Sequence, residues 1–516
     1  MNVLVVLPIL IPLVSAVITL LLRSRVGAQN AVGIAGSALL LGASVWLLGA
    51  VHDGGILVQQ LGGWKAPFGI SFVADTFSAL MVLLTGVTGL AIAIYSAAAV
   101  DEPRRRFGYF PLLHILLMGV NGAFLTGDMF NLYVWFEVML IASFVLLVLG
   151  GERVQFAGAV KYVTVNLLAS MLFLIGAGVL YGKTGTLNFA DLAFKLSQTS
   201  NPELVNTSAM LFLVAFGIKA AIFPFFFWLP DSYPVPPAAI TALFSGLLTK
   251  VGVYALLRTF SIVFVHDTAF TQPLFLVLAG FTMVIGVLGA VAQSEMKRLL
   301  SFHIVSQIGY ALMGLGIFTQ LALSGAIYFT LHVAIAKAAL FLVVGYIARR
   351  KGHTALKQLG GLLRESPVLA ALFLIAALSL AGLPPFSGFF AKFTLVRAGL
   401  ESTDYIIVAV ALAVSMLTLF SMTKIWGEAF WKIKPGKVTT ADILPPAPTV
   451  ENPLVTVYPA LTRTSTALYF IPMFLLVAVT VLMGLAAEPI LQMTGQAADQ
   501  LLNPAPYIES VLGVRP

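Results

Sequence analysis

The chain has 516 residues, 59% of them hydrophobic and 10% charged, and a mean hydropathy of +1.00, which excludes a soluble globular protein. It has no cysteine, so disulfides, thiolate metal sites and cysteine-ligated iron–sulfur clusters are excluded as well. A formal net charge of +8 would suit a nucleic-acid partner, but the basic residues sit in short loops between apolar runs, a placement that suits a membrane surface.

Residues 1–22 lack a basic start and a small-residue cleavage site, and read as a retained first span rather than a signal peptide. Apolar windows of about 20 residues mark transmembrane helices. Fourteen are read: 2–22, 31–51, 70–98, 108–126, 129–149, 157–181, 207–229, 237–262, 273–293, 298–317, 322–348, 367–397, 404–430 and 466–488. Hydrophilic stretches, His52–Lys65 and Gly182–Asn206, follow windows 2 and 6. The run WLPDSYPVPP, with Asp231 and Pro234, reads as a rigid turn. Residues 432–463, rich in Lys, Pro and Thr, read as an extramembrane connection. No stretch is long enough for a separate soluble domain. The expected fold is an all-α integral membrane protein, with residues 1–516 as one polytopic membrane domain.

Lysine and arginine set the orientation. With the N-terminus outside, the inside loops hold Arg23, Arg25, Arg104, Arg105, Arg106, Arg153, Lys297, Arg298, Arg349, Arg350, Lys351, Lys357, Arg364, Lys432, Lys434, Lys437 and Arg463. The outside holds only Lys65, Lys183, Lys195, Arg397 and Arg515. Both termini are therefore expected outside, which requires an even number of spans.

An internal echo links windows 7 and 12. FLVAFGIKAAIFPFFFW (Phe212–Trp228) lines up with FLIAALSLAGLPPFSGFF (Phe373–Phe390); in both, proline follows the FLxA alanine by nine positions and phenylalanine comes next. Windows five apart enter from opposite faces, and inverted repeats with broken helices are a transporter pattern. The expected helix breaks are at Pro224 and at Pro384 and Pro385, where a backbone hydrogen bond is lost and must be replaced by protein or water.

Few ionisable residues lie deep in the windows: Glu137, Lys219, Lys250, His332, Lys337 and Lys392, with His114 and His303 as secondary candidates. A charge at bilayer depth costs at least ~2.5–3.5 kcal/mol, so such residues face a cavity or a partner. For His332 the plain alternative is a buried neutral imidazole with one hydrogen bond, and His114 and His303 read more readily as packing residues. Lys337 lies five residues beyond His332, about 140° round a helix, and need not share its face. Lys161, Arg258 and Lys424 read as side chains snorkelling to the interface. Hard cations want several oxygen ligands, and Glu137 is the only clear carboxylate at mid-membrane depth. The set suits a proton relay better than a sodium site, with Glu137 governing when a lysine holds its proton. Metal-ligand clusters, phosphate-cradling loops and nucleophile–base motifs are not found, and no cofactor is expected. Aligning Pro224 with Pro385 puts Lys219 on Leu380 while Lys392 lies beyond its break, so charge is expected on opposite sides of the two breaks.

GDMFNLYVWFEVMLIASFVLL (127–147), GIKAAIFPFFFWLPDSY (217–233) and GLLTKVGVYALLR (246–258) resemble the D subunits of the Mrp (Mnh) multi-subunit sodium/proton antiporters. The resemblance runs over essentially the whole chain and extends, more distantly, to the antiporter-like membrane subunits of respiratory complex I. It implies fourteen helices with inverted five-helix repeats, helices 4–8 and 9–13, and broken helices 7 and 12. The corresponding divisions are 1–106 for helices 1–3, 107–262 and 273–430 for the repeats, and 431–516 for a cytoplasmic connection, helix 14 and a C-terminal tail. It assigns the family's glutamate to Glu137, its helix 7 and 8 lysines to Lys219 and Lys250, its helix 11 histidine to His332 and its helix 12 ionisable residue to Lys392, with Lys219 as partner of Glu137. Complex I relatives usually carry histidines flanking WLPD where FFFWLPDSY has Phe and Tyr, which favours the Mrp family's D subunits.

The function expected is the proton-translocating subunit of a monovalent cation (Na+)/H+ antiporter in the cell membrane, a transporter subunit rather than an enzyme. It would work with other membrane subunits, and Na+ would cross elsewhere. The rivals are the proton-pumping membrane arm of a complex I-like oxidoreductase or membrane-bound hydrogenase, and a structural scaffold.

Overall fold

The computed structural model describes residues 2–198, 203–433 and 462–513. Most of the connection expected at 432–463, with Lys434 and Lys437, lies outside the described residues, as does Arg515.

Helices α1 (Val3–Leu21) and α2 (Val26–Gly54) lead into a short antiparallel hairpin, β1 (Leu57–Gln60) and β2 (Ser71–Ala74). Its register runs from Leu57↔Ala74 to Gln60↔Ser71. The third window is therefore shorter than expected, because 71–74 is strand and α3 (Thr76–Ala99) begins only after Asp75. Asp75 caps that helix: its carboxylate accepts from Ser78 N at 2.8 Å, and Ser78 Oγ accepts from Asp75 N at 2.9 Å.

The chain continues through α4 (Glu102–Arg106), α5 (Tyr109–Leu125), α6 (Met129–Val148), α7 (Arg153–Thr184), α8 (Phe189–Ser197) and α9 (Glu203–Ala220). After a break come α10 (Trp228–Ser232) and α11 (Ala238–Leu243), then a π-helical turn at Phe244–Leu248 that runs into α12 (Thr249–Ile262). WLPDS is thus a short helix rather than a bare turn, and Asp231 pins it by ion pairs to Lys161 (2.7 Å) and Arg298 (3.3 Å).

The rest comprises α13 (Thr268–Ala292), α14 (Met296–Ile317), α15 (Gln320–Lys351), α16 (Leu362–Glu365), α17 (Pro367–Ala381), α18 (Ser387–Glu401), α19 (Tyr405–Ile425), α20 (Arg463–Leu485), α21 (Ala487–Leu502) and α22 (Ala505–Leu512). Among the described residues twelve helical stretches are long and apolar enough to cross a membrane, and Tyr109–Leu125 and Pro367–Ala381 are shorter apolar helices. Each of the fourteen sequence windows falls on one of these.

Burial sorts the spans into layers. The apolar windows of Ala238–Ile262 and Gln320–Lys351 are 100% buried, whereas those of Val26–Gly54, Arg153–Thr184 and Thr268–Ala292 are 39% buried. The inner helices turn every side to protein, and the outer ones turn an apolar face outward, as a lipid-facing helix must. α15 is the central rod. Thr319 Oγ1 caps its start by accepting from Ala322 N at 3.2 Å, and Gly352 ends it in the left-handed region.

The residues after window 14 form two further helices, which hydropathy alone passes over because α21 is amphipathic. It buries Thr494, Ala497, Ala498 and Leu501. Gln500 Oε1 accepts from Thr76 N at 3.0 Å, and Val511 O on α22 accepts from Gln60 Nε2 at 3.4 Å. Together they cover the hairpin and the start of α3.

Candidate functional site

The two expected breaks share one backbone geometry. In the first, Ala221 is left-handed (φ 61°), Ala221 N donates to Ile218 O at 3.0 Å and Ile222 N to Gly217 O at 3.0 Å. In the second, Gly382 is left-handed (φ 93°), Gly382 N donates to Ser379 O at 3.0 Å and Leu383 N to Leu378 O at 3.1 Å. Both are Schellman ends, offset by the same 161 residues that align Pro224 with Pro385. Each is followed by a cis X-Pro bond, Phe223–Pro224 and Pro384–Pro385.

Lys219 stands two residues before the first break and is buried. Its Nζ donates to Ser170 Oγ at 3.1 Å, and Ser170 Oγ donates to Glu137 Oε1. The expected Glu137–Lys219 pairing is therefore made through a hydroxyl on α7, not by direct contact. The Lys219 ammonium also lies 4.8 Å from the centre of the Phe136 ring. Glu137 itself is half-buried.

A cavity of about 20 Å³ lies against Lys219, bounded among others by Tyr162, Asn166, Trp228 and Leu248. One water needs roughly 10–15 Å³ on this measure. Leu248 belongs to the π turn that precedes Lys250. That turn matters because Lys250 Nζ donates to the carbonyl of Ser245 within it, at 2.6 Å, and approaches Thr249 Oγ1 at 3.3 Å. The two lysine-bearing helices approach closely at Gly252, where a Cβ would stand 2.5 Å from Ala220 N.

In the second half the lysines are again held by neutral oxygen. Lys337 Nζ donates to Leu300 O on α14 at 3.1 Å. Lys392 Nζ donates to Leu380 O (3.1 Å) and Ala381 O (3.0 Å), the last carbonyls of α17, and lies 4.9 Å from the centre of the Tyr310 ring. A cation suits that helix end. Lys392 thus starts beyond its break but reaches back across it. The expectation that charge lies on opposite sides of the two breaks holds for the backbone positions only; the Lys392 ammonium lies at the level of residue 380, the counterpart of Lys219. His332 Nδ1 bonds Ser387 Oγ at 2.8 Å, and Ser387 Oγ lies 3.3 Å from Ser379 Oγ.

His303, a secondary candidate, is buried on α14, with Nε2 2.5 Å from Ser421 Oγ on α19. Among the described residues, none of the four deep lysines has a carboxylate within ion-pair distance. His114 lies apart, with Nε2 at 3.1 Å from Gly33 O.

Arg258 does not snorkel. It is buried and grips Asp75 with both terminal guanidinium nitrogens, Nη1 on Oδ2 and Nη2 at 2.8 Å from Oδ1. Tyr254 OH accepts from its Nε at 3.2 Å and Nη2 at 2.9 Å, while Tyr507 of α22 lies over the guanidinium at 5.8 Å. The fork of Arg suits a buried bidentate pair, and Asp75, which the sequence does not single out, supplies it. Lys161 does reach an exposed edge, where it meets Asp231. Lys424 reaches the carbonyls of Val291 (3.0 Å) and Gln293 (2.8 Å) at the end of α13. Sequence reasoning missed Ser170, Ser245 and the Asp75 pairing; a serine on a helix carries no signal of its own in an apolar chain.

A polytopic helical membrane protein with matched helix breaks and a buried lysine series defines a class of ion-translocating proteins. Residues 126–418 match the family described as NADH:quinone oxidoreductase/Mrp antiporter, TM, and the chain belongs to that family. It is 49% identical to the D subunit of the Na(+)/H(+) antiporter of Alkalihalophilus pseudofirmus, over 99% of this chain and 100% of that one. It superposes on a chain of the Mrp complex from Dietzia sp. with a TM-score of 0.89 at 37% identity, covering 99% of this chain and 100% of that one. A chain of the membrane-bound sulfane sulfur reductase, an archaeal respiratory membrane complex, matches with a TM-score of 0.87 at 25% identity, over 98% and 99% of the two chains.

Proposed function

We propose that this chain is the proton-translocating subunit of a multi-subunit Na+/H+ antiporter. The observation that carries the reading is the series of ionisable groups, half-buried Glu137 joined through Ser170 to Lys219, then buried Lys250, Lys337, Lys392 and His332, each held by neutral oxygen. A lysine bound to carbonyls or hydroxyls can pass its proton on without breaking an ion pair. Packed helices stand ~8–10 Å apart, so waters complete the intervals between groups. The Na(+)/H(+) antiporter relative from Alkalihalophilus pseudofirmus and the likeness to the Mrp complex support the reading, and imply other membrane subunits as partners.

In this reading the chain spans the cell membrane fourteen times with both termini outside. Residues 107–262 and 273–430 are inverted repeats, flanked by 1–106 and 431–516. The test is Lys250→Ala and Lys337→Ala in the assembled complex, reconstituted in vesicles. Each should abolish sodium-driven proton flux while the complex stays intact; wild-type flux in either removes that residue from the relay.

A further inference from the structure

Lys337 and Lys392 meet α14 at different places: Lys337 is anchored on Leu300 and Lys392 lies over Tyr310, ten residues further along that helix. Between them, at i, i+4 and i+7, stand His303, Gln307 and Tyr310, one stripe of that helix. The stripe faces α19. His303 Nε2 meets Ser421 Oγ at 2.5 Å, and Tyr310 OH meets Ala411 O at 2.7 Å and Ser415 Oγ at 3.0 Å. These antiparallel contacts put the row of Ser415, Thr418 and Ser421 alongside His303, Gln307 and Tyr310, a polar seam between two apolar spans.

Gln307 is fully buried, yet neither its amide oxygen nor its amide nitrogen has a hydrogen-bond partner. His303 Nδ1 and His332 Nε2 are also buried without a partner, whereas no side-chain atom of Glu137, Ser170, Lys219 or Lys250 is so left. A buried polar group without a partner costs about 1–3 kcal/mol, so a leucine would pack more favourably at 307 unless water satisfies the amide. The amide can both donate to and accept from water, as a wire between two lysines requires.

We propose that Gln307 is a positioning residue whose amide holds the water that carries the proton between Lys337 and Lys392. His303 flanks the same water through its free Nδ1. The proposal rests on the relay reading above, and three measurements on the assembled complex separate the two. A high-resolution map of the wild type should show ordered water within hydrogen-bond distance of both amide atoms; an amide packed dry overturns the proposal whatever the variants do. Gln307→Leu should cut sodium-driven proton flux at least tenfold with a thermal midpoint equal to or above wild type, and Gln307→Asn should recover part of the flux. A Leu variant that loses flux and stability together, or fails to assemble, marks a structural residue and overturns the proposal, as does wild-type flux. Lys337→Ala and Lys392→Ala serve as the controls. Should they be inactive while Gln307→Leu is fully active, only the Gln307 assignment falls; should they transport normally, the relay itself falls.

Discussion

Ser170 is the hydroxyl that joins Glu137 to Lys219, and its removal is a sharp test of that coupling. Ser170→Ala deletes one oxygen on α7 that donates to the carboxylate and accepts from the ammonium at 3.1 Å. A hydrogen bond to a charged group is worth about 1.5–3 kcal/mol, so losing the bridge should slow transfer through this pair roughly 10- to 150-fold. Helix propensity favours alanine by a few tenths of a kcal/mol, and the substitution opens little space, so assembly and thermal midpoint should hold. The assay is the initial rate of proton uptake by vesicles containing the whole complex under an imposed sodium gradient, with Ser170→Thr as the control that keeps a hydroxyl. A Ser170→Ala rate within twofold of wild type would refute the bridge and leave Glu137 and Lys219 to act without it.

Asp75→Asn leaves the buried Arg258 guanidinium unpaired and should cost about 3–5 kcal/mol, seen as a lowered thermal midpoint; a loss under about 1 kcal/mol would mean that Tyr254 and Tyr507 suffice. Gly382→Ala puts a Cβ 2.8 Å from Lys392 Cδ at a φ of 93° and should lose transport and stability together, while Ala221→Gly at the matching position should be neutral or slightly stabilising; equal behaviour of the two would refute the asymmetry. Burial raises Asp128, just ahead of α6, from 3.8 to about 6, against the opposing hydrogen bonds from Asn131 and Phe130. Its folded-state pKa lies above the unfolded value, so stability is full below pH ~4 and declines as pH rises through 6. Asp128→Asn keeps the cap and should flatten that window in melts of the complex; an unchanged slope would refute it.

The spans were legible because hydropathy is a summed property of some twenty residues, and shifts of a few residues do not erase it. The breaks were legible because proline spacing repeats. The depth of Glu137, Lys219, Lys250, Lys337 and Lys392 could also be read, since each is a charge inside an apolar window. What each side chain touches could not. Lys250 finds its acceptor only because a π turn at Phe244–Leu248 brings the Ser245 carbonyl within its reach, and that depends on tertiary packing, not on local propensity. Arg258 reads as a helix-end snorkel by position along the chain, but its partner Asp75 is 183 residues away. The hairpin at 57–74 and the helices α21 and α22 were hidden for a related reason, being short, mixed in polarity and held by contacts to distant residues.

The aligned breaks also explain why one left-handed position is alanine and the other glycine. An L-residue there carries strain of about 1–2 kcal/mol, which glycine avoids. At Ala221 the Lys219 ammonium is held by Ser170 on α7 and not by the carbonyls of the turn, so the backbone strain is the cost that the alanine carries there. At Gly382 the stem of Lys392 runs back over the turn, with Cδ 2.8 Å from where a Cβ would stand, so a side chain there would both strain the backbone and push the lysine stem that carries the ammonium to Leu380 O and Ala381 O. The residue after the second break can therefore deliver its charge to the level that Lys219 occupies from before the first. Position along the chain and position of the charge are decoupled by a missing methyl group. The two ammoniums remain chemically distinct, since one is bound to the hydroxyl that carries Glu137 and the other to the negative end of a half-helix.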